Sequence, residues 1–357
     1  MNIVKTRESR LESTDFSNLP FGRVFSDHML VCHYSQGTWQ DPHIIPYGPI
    51  QMNPGSQVLH YGQSVFEGMK VFKNSNNEVL FFRREDNFKR LNKSAVRLSI
   101  PEVPREFFME GLNELLALDS EWCKEQEGYS LYVRPFIFAS SECIKASSSE
   151  EFTFVIITSP TTTYYPGEVN LIIEESFTRA SKGGVGFAKA AGNYAATFYP
   201  TKLANSKGFQ QVIWTDANEH KYIEECGTMN IWFRIGDRLV TPALSDSILS
   251  GITRDSIIII AKDMGIDVEE RRIAVSDIVR AYNAGELIEV FGTGTAVSVS
   301  QINSIVFRDN KMIFSEIADA DAYALKLRQR IQSIQKGRVG DPYGWTTKVP
   351  ATIFTGS

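Results

Sequence analysis

Lys189 stands in the small-residue segment GVGFAKAAGNYAA, which runs over positions 184–196. Glycine and alanine on both sides of the lysine remove bulk, which suits a backbone that lies against a flat cofactor. A lysine that is desolvated in such a place has a lowered pKa, so it can bind a carbonyl group covalently or act as a general base. The same composition is equally typical of a flexible loop. Lys189 is therefore one candidate for covalent chemistry.

A pair of adjacent acids is the second candidate. Glu224 and Glu225 stand in YIEECGTMNIW, where one strand turns into the next. Pyridoxal phosphate acts as an electron sink when its ring nitrogen is protonated, so an enzyme that uses this cofactor needs a carboxylate at that nitrogen. Either acid could supply the carboxylate. The alternative is a pair of solvated acids at the end of a strand.

Three further segments offer groups that bind anions. Arg90 lies on the basic face of a predicted helix, and SGITRD at 250–255 opens another helix, where N–H groups and the macrodipole favour an anion. FGTGTA at 291–296 offers backbone donors for a substrate carboxylate. It is not a dinucleotide-binding fingerprint, because Val297 replaces the third glycine and a strand is expected to follow. The simpler alternatives are a solvated helix face, an ordinary helix start and a tight strand end.

The elements that would position these residues are helices and strands in mixed order. A hairpin is expected over 71–82 around the turn at 74–77, because asparagine and serine favour turn conformations. A helix is expected from Glu85 to Arg97, with apolar residues at three- and four-residue spacing on one face. A second helix is expected over 104–124, and LYVRPFIF and EFTFVIIT are expected to be strands.

The segment SPTTTYYPGE at 159–168 has the composition of a linker. We therefore predict a first domain at 1–162, an interdomain linker at 163–170 and a second domain at 171–357. The second domain is expected to contain a helix over 194–207 closed by Gly208, a strand QQVIWTD, a hairpin MNIWFRIGDRLVTP turning at Gly236–Asp237, a helix from Gly251 to Gly265, and strands IEVFGT and AVSVSQI. The strict βαβ alternation of a nucleotide-binding sheet is missing, so the prediction is a mixed α and β fold.

Composition narrows the class of protein. A length of 357 residues suits two packed domains, and a net charge of −5 gives no field that attracts nucleic acid or an anionic membrane. No run is long and apolar enough for a membrane span, so we expect small-molecule partners. The first fifteen residues lack an apolar signal core and carry acids, which predicts the cytoplasm. The four cysteines are isolated, so we expect reduced thiols and no metal site.

Seven motifs taken in order resemble the branched-chain aminotransferases over about residues 22–305. They are HYGQSVFEGMK (60–70), RREDNFKRL (83–91), LYVRP (131–135), AKAAGNY (188–194), EECGTMN (224–230), SGITRD (250–255) and FGTGTA (291–296). FGRVFSDHML, at the start of the match, resembles the longer form of the family. The resemblance implies fold type IV of the pyridoxal phosphate enzymes, with a smaller α/β domain, a larger domain built on a distorted β-barrel, and a homodimer whose sites use residues of both subunits.

The resemblance also implies roles for individual residues. Lys189 would bind pyridoxal phosphate covalently, Tyr194 would hold the phenolic oxygen of its ring, Glu225 rather than Glu224 would bind the ring nitrogen, and Arg90 would bind the phosphate. Backbone donors to the phosphate would come from Gly251, Ile252, Thr253, Gly227 and Thr228. Thr295 and Ala296 would bind the substrate α-carboxylate, with Thr295 also beside the cofactor. The side-chain pocket would be formed by Tyr61, Phe66, Tyr132, Arg134, Tyr164 and Tyr165.

The implied reaction is a reversible ping-pong transfer of the amino group from leucine, isoleucine or valine to 2-oxoglutarate. Within the same fold, the rivals are D-amino-acid aminotransferase and aminodeoxychorismate lyase, which are shorter enzymes that lack FGRVFSDHML and GTMN. From another class, the rival is a non-catalytic nucleotide-binding module that uses GTGTA. Some relatives carry a redox-active CxxC after this motif. Here the positions read Val297-Ser298-Val299-Ser300, so thiol regulation is not expected there.

Overall fold

The structure is a computed structural model that describes residues 1–162, 167–314, 317 and 321–350. The chain divides into two compact units: unit 1 is Met1–Tyr164, Ala188–Ala191 and Ile334–Ser357, and unit 2 is Tyr165–Phe187 and Gly192–Ser333. None of the helices in the described ranges combines the length and apolarity that a membrane span needs. Cys32, Cys123 and Cys226 are buried and Cys143 is exposed, and all four are free thiols.

Unit 1 is built on a ten-stranded sheet. Its first nine strands are β1 Asn2–Ile3, β2 His28–Ser35, β3 Thr38–Trp39, β4 His43–Pro46, β5 Ser64–Phe66, β6 Met69–Lys73, β7 Val79–Phe82, β8 Ser130–Ala139 and β9 Phe152–Thr161. The main order is β1-β4-β2-β9-β8-β6-β7, with β3 on β2 and β5 on β8. The helices are α1 Gln57–Tyr61, α2 Arg84–Arg97 and α3 Arg105–Leu118, and a 3-10 helix follows at Ser120–Trp122.

The predicted hairpin and first long helix are confirmed. Asn74 closes the β6–β7 turn, because its Oδ1 accepts the N–H groups of Asn76 and Glu78 at 3.0 and 2.9 Å. On α2, Leu91 and Ala95 are buried in the core of unit 1, and Phe88 and Leu98 pack against the same core. This is the apolar face that the spacing predicted.

The second helix is shorter than the predicted 104–124, because α3 ends at Leu118. The next residue, Asp119, is held by His28: its carboxylate accepts the backbone N–H at 3.0 Å and contacts the ring Nδ1 at 2.6 Å. Trp122 then donates its indole N–H to Asp27 Oδ2 at 3.0 Å. These long-range contacts fix the residues that follow Leu118 outside the α-helix. The spacing of apolar residues along the sequence does not predict them.

Unit 2 contains a six-stranded and a five-stranded sheet. Its elements are β10 Asn170–Ile173, α4 Ala191–Ser206, β11 Gln211–Thr215, β12 Tyr222–Cys226, β13 Asn230–Ile235, β14 Arg238–Pro242, α5 Ile252–Asp263, β15 Asp267–Arg271, β16 Ile273–Ala274, α6 Val275–Asn283, β17 Leu287–Gly294, β18 Ser298–Gln301, β19 Ser304–Phe307, β20 Asn310–Ile313 and α7 Tyr323–Gln335. The orders are β16-β12-β11-β10-β19-β20 and β15-β14-β13-β17-β18. The β13–β14 hairpin turns at Gly236, with φ of 57°, as predicted. The mixed α and β fold is confirmed.

The two units are not continuous in sequence as predicted, because two segments of the predicted second domain belong to unit 1. Ala190 forms a bridge with Val65, so residues 188–191 belong to unit 1. The last strand, β21 at Thr346–Lys348, pairs with β7 and joins the same unit, which makes unit 1 the longer one. The segment 159–168 has the composition of a linker, but its first three residues continue strand β9 and pair with β8. Residues 163–166 lie outside the described residues.

Candidate active site

Lys189 is held by two hydrogen bonds of its backbone within unit 1. Its N–H donates to the Ser94 hydroxyl at 2.9 Å, and its carbonyl accepts the N–H of Phe66 at 3.0 Å. The second bond belongs to an antiparallel bridge between Ala190 and Val65. The Ser94 hydroxyl in turn donates to the carbonyl of Arg90 at 2.8 Å on α2. The segment that composition alone left open as a loop is therefore attached to β5 and to α2.

Two of the predicted site residues, Lys189 and Arg134, lie over the ring of a third, Phe66. The Lys189 Nζ atom lies 4.7 Å from the centroid of this ring, and the Arg134 guanidinium carbon lies 4.6 Å from it. Arg134 also lies 5.3 Å from the ring of Tyr132 and donates from Nη2 to the Tyr132 hydroxyl at 3.0 Å. Its Nε is buried and finds no hydrogen-bond partner in the part of the chain that the structure describes. Gly68 makes room for this arrangement, because a Cβ there would lie 2.0 Å from the Tyr132 hydroxyl.

Arg90 is paired with an acid to which sequence reasoning assigned no role. Glu67 is fully buried, and its two oxygens accept from Arg90 Nε at 2.7 Å and Nη2 at 2.9 Å. Asn87 donates a further hydrogen bond to Glu67 at 2.7 Å. The alternative of a solvated basic face is therefore wrong for Arg90. The signal for Glu67 was a lone acid in the apolar run SVFEGMKVF.

The charge of Glu67 is maintained by its neighbours. Burial by itself would raise the pKa of this carboxyl group, but the Arg90 guanidinium, the Lys189 ammonium and the Asn87 hydrogen bond outweigh burial, so the pKa lies below its usual range. A second lysine in unit 1, Lys70 on β6, has its pKa lowered to about 8 by burial. Lys70 lies outside the predicted set and also has the chemistry of an amine nucleophile.

In unit 2, the two adjacent acids have different surroundings. Glu225 is 3% exposed, and its Oε2 lies 2.7 Å from Arg179 Nε. Its Oε1 accepts the backbone N–H of Leu249 at 2.8 Å and the amide of Asn230 at 3.3 Å. Glu224 accepts a hydrogen bond from the hydroxyl of Ser247, while its Oε2 is buried with no hydrogen-bond partner within residues 1–162, 167–314, 317 and 321–350. Burial raises the pKa of Glu224. These contacts favour Glu225 as the charged acid.

The start of α5 lies next to the same group of contacts. Gly251 precedes the first helical residue, and a Cβ at Gly251 would lie 2.0 Å from Asn230 Oδ1. Asn230 therefore contacts both the carboxylate of Glu225 and the helix start. This arrangement puts an anion-attracting helix N-terminus beside a buried carboxylate within one unit.

The contacts of Gly227 disagree with the role implied for it. Its N–H, expected among the phosphate donors, instead donates to the carbonyl of Val212 at 2.7 Å. The Gly227 carbonyl accepts the indole N–H of Trp214 at 3.0 Å. The following residue, Thr228, is exposed. The turn at 227 is thus held by β11, with a φ of 53° that favours glycine.

The other predicted residues are distributed over both units. Tyr194 is half-buried on α4, and Thr295 and Ala296 lie in the turn between β17 and β18. Because a strand follows FGTGTA, the dinucleotide-binding alternative has no helix in the required place. Tyr61 is 46% exposed and donates its hydroxyl hydrogen bond to the carbonyl of Ile144. Tyr164 and Tyr165 lie outside the described residues.

Comparison with known proteins decides the family. The amino-transferase class IV family model matches residues 64–305. The chain belongs to the class IV aminotransferases. A probable branched-chain-amino-acid aminotransferase of Staphylococcus epidermidis (strain ATCC 12228 / FDA PCI 1200) is 45% identical over 350 residues, which cover 96% of this chain and 97% of the relative. Branched-chain-amino-acid aminotransferase 2 of Bacillus subtilis (strain 168) is 44% identical and covers 98% of this chain and 97% of its own length.

Solved structures of this aminotransferase family share the fold. The branched-chain amino acid aminotransferase of Escherichia coli has a TM-score of 0.74 at 25% identity, covering 91% of this chain and 99% of that one. The branched-chain aminotransferase of Thermoproteus uzoniensis has a TM-score of 0.75 at 24% identity, covering 90% and 100%. The second similarity shows the fold alone.

Proposed function

We propose that this aminotransferase moves the amino group of leucine, isoleucine or valine reversibly to 2-oxoglutarate. The products are the branched 2-oxo acid and L-glutamate, formed in a ping-pong reaction. Relatives named branched-chain-amino-acid aminotransferase or transaminase, 43–45% identical over nearly the whole chain, support the proposal. The observation that carries it is the contact of Lys189 and Arg134 with the same aromatic ring, Phe66, because it combines an amine nucleophile with a pocket for apolar and acidic side chains.

The cofactor of the proposed reaction is pyridoxal phosphate. When bound, it supplies the electron sink that stabilises negative charge at the substrate α-carbon. The donor set fits this molecule: a buried charged acid, Glu225, suits a protonated ring nitrogen, and the start of α5 suits a phosphate. A further branched-chain amino acid aminotransferase, which is 25% identical with a TM-score of 0.70, was solved with pyridoxamine 5'-phosphate.

Each residue of the proposed site has its own role toward the cofactor or the substrate. Glu225 would accept a hydrogen bond from the protonated ring nitrogen, which keeps its proton, and Tyr194 would bind the phenolic oxygen. Arg90 would bind the phosphate, as would backbone donors at Gly251, Ile252, Thr253 and Thr228. Lys189 would hold the cofactor through Nζ. With a substrate bound, the Lys189 Nζ would take the proton from the substrate α-carbon as a general base and would pass it on as a general acid. The N–H groups of Thr295 and Ala296 bind the substrate α-carboxylate.

The side-chain pocket must accept both an aliphatic and an acidic amino acid. Phe66 and Tyr132 provide aromatic walls for the first, and Arg134 provides a positive charge for the carboxylate of glutamate. The Nε of Arg134 is buried and has no hydrogen-bond partner among the described residues, so contacts within that part of the chain do not use this donor. Tyr61, Tyr164 and Tyr165 complete the proposed pocket.

We further propose a homodimer in the cytoplasm that acts on small molecules. We also propose a first functional domain at 1–162, a linker at 163–170 and a second functional domain at 171–357, although residues 188–191 and 334–357 belong to unit 1.

A coupled glutamate assay tests the proposed function. Purified protein with pyridoxal phosphate and 2-oxoglutarate is expected to form glutamate from leucine, isoleucine and valine, with the visible absorbance of the bound cofactor recorded in parallel. Turnover of D-alanine with none of L-leucine would instead identify a D-amino-acid aminotransferase, and pyruvate release from aminodeoxychorismate would identify the lyase. Tight NAD binding without a cofactor band would favour the nucleotide-binding module.

A further inference from the structure

Arg179 forms a buried ion pair with Glu225 in unit 2. It lies in the segment between β10 and α4, and its Nε is 2.7 Å from Glu225 Oε2, with side chains only 8% and 4% exposed. Withdrawal of one charge from such a pair leaves the other buried without compensation. The two residues therefore depend on each other for their ionised states.

The other nitrogens of Arg179 hold two backbone carbonyl groups. Nη1 donates to Ser247 O at 2.9 Å, and Nη2 donates to Gly186 O at 3.2 Å. Gly186 is tightly packed, because a Cβ there would lie 2.5 Å from Ala180 Cβ and 2.7 Å from Ser247 Cα. A guanidinium group is planar and rigid, so these contacts fix the place from which Nε reaches Glu225.

The second oxygen of Glu225 is fixed as well. Oε1 accepts the N–H of Leu249 at 2.8 Å and the amide of Asn230 at 3.3 Å. The plane of the carboxylate is therefore set from both sides.

We propose that Arg179 is a positioning residue for Glu225, which keeps this carboxylate charged and oriented to accept a hydrogen bond from a protonated ring nitrogen. The inference rests on the proposed function, because it takes Glu225 as the partner of the pyridoxal phosphate ring. A neutral carboxyl group would donate a hydrogen bond to that nitrogen, and the ring would then lose its proton and its strength as an electron sink. Arg179 touches neither substrate nor cofactor in this role.

The experiment uses the holoenzyme reconstituted with pyridoxal phosphate that carries ¹⁵N in the ring. Wild-type protein is expected to give the nitrogen chemical shift of a pyridinium ion. In Arg179→Met the shift is expected to move toward that of neutral pyridine, and kcat is expected to fall about tenfold to hundredfold, as when a partner that orients a functional group is removed. Arg179→Lys keeps the charge and is expected to restore part of the pyridinium signal.

A matched control is Arg272→Met. The Arg272 guanidinium carbon lies 3.6 Å from the ring centroid of Tyr222, which is on the same strand as Glu225. The variant therefore removes a nearby positive charge but leaves the ion pair between Arg179 and Glu225 in place. It is expected to keep the wild-type nitrogen signal.

Infrared spectroscopy of the cofactor-free protein gives a second readout. The carboxyl band of Glu225, isolated by difference against Glu225→Gln in each background, is expected to be that of a carboxylate in wild type and that of a carboxylic acid in Arg179→Met. An Arg179→Met protein that keeps both the carboxylate band and the pyridinium signal would overturn the proposal. If Arg179→Met does not fold, Arg179→Gln takes its place: a nitrogen signal shifted toward neutral pyridine supports the role, and an unchanged one overturns it. A wild-type protein that does not bind pyridoxal phosphate contradicts the proposed function instead.

Discussion

Glu67 and Arg90 form a two-pronged ion pair inside unit 1, with Nε to Oε1 at 2.7 Å and Nη2 to Oε2 at 2.9 Å. The pair presents the proposed phosphate-binding arginine in one orientation. Because Lys189 also contributes to holding Glu67 ionised, the acid is coupled to both of the cationic residues that the proposed mechanism uses in this unit.

Replacement of Glu67 by glutamine is expected to destabilise the protein. The amide removes the negative charge of this buried ion pair, and breaking a buried pair by changing one partner costs about 3 to 5 kcal/mol. The free energy of unfolding, measured by urea denaturation, checks this value. Glu85→Gln is the matched control, because its partner Arg105 is 60% exposed and Glu85 is 43% exposed. That variant is expected to lose less than about 1 kcal/mol. Equal losses in the two variants would contradict the account.

The same pair predicts how stability depends on pH. The pKa of Glu67 is lower in the folded protein than its ordinary value of 4.5, so its contribution is fully present above pH 4.5 and is lost as the pH falls through the folded-state pKa. Urea denaturation of wild type and Glu67→Gln between pH 7 and the acid range measures the difference in unfolding free energy. This difference is expected to be constant near neutrality and to shrink in acid. A difference independent of pH would exclude an ionised Glu67.

Gly251 gives a prediction about the start of α5. A Cβ at this position would lie 2.0 Å from Asn230 Oδ1, so Gly251→Ala must displace Asn230 and its hydrogen bond to Glu225. The dissociation constant of pyridoxal phosphate, measured by fluorescence titration, is expected to rise roughly tenfold, equivalent to about 1.4 kcal/mol. The control is Gly340→Ala, where a Cβ would meet no atom within 4 Å. Unchanged cofactor affinity in Gly251→Ala would argue against a phosphate site at this helix.

Arg134 is predicted to select the acidic substrate. Arg134→Met removes the charge beside Phe66 and Tyr132 but keeps an apolar side chain of similar length. The ratio of kcat/KM for glutamate to that for leucine is expected to fall by the equivalent of about 1.5 to 3 kcal/mol, the worth of a hydrogen bond to a charged group. Steady-state assays in both directions measure the ratio. Arg84→Met, which removes an arginine 4.5 Å from the ring of Phe81, is expected to leave it unchanged. An equal loss for leucine and glutamate in Arg134→Met would contradict this role.

Local sequence pattern predicted most elements and the motifs that carry the proposed site. The turn at Asn74, the apolar face of α2 and the helix start at Gly251 each follow from a few neighbouring residues. The end of α3 did not, because Asp119 is held by His28 from far along the chain.

The partners of the proposed site residues were missed for the same reason. Glu67 is marked locally only as a lone acid in an apolar run, and Arg179 has no local signal, since each ion pair forms only when the chain is folded. The choice between Glu224 and Glu225 needed the family resemblance at the sequence level. The contacts with Arg179 and Leu249 now support that choice on physical grounds.

The account as a whole depends on which lysine binds the cofactor. Holoenzyme can be reduced with borohydride, digested and analysed by mass spectrometry for the phosphopyridoxyl group. We predict that the group is found on the peptide that contains Lys189, and that Lys189→Ala protein carries none. Lys70, whose pKa is lowered to about 8, is the strongest competitor among the described residues of unit 1. A phosphopyridoxyl group on Lys70 or any other lysine, with Lys189 unmodified in active enzyme, would contradict the assignment.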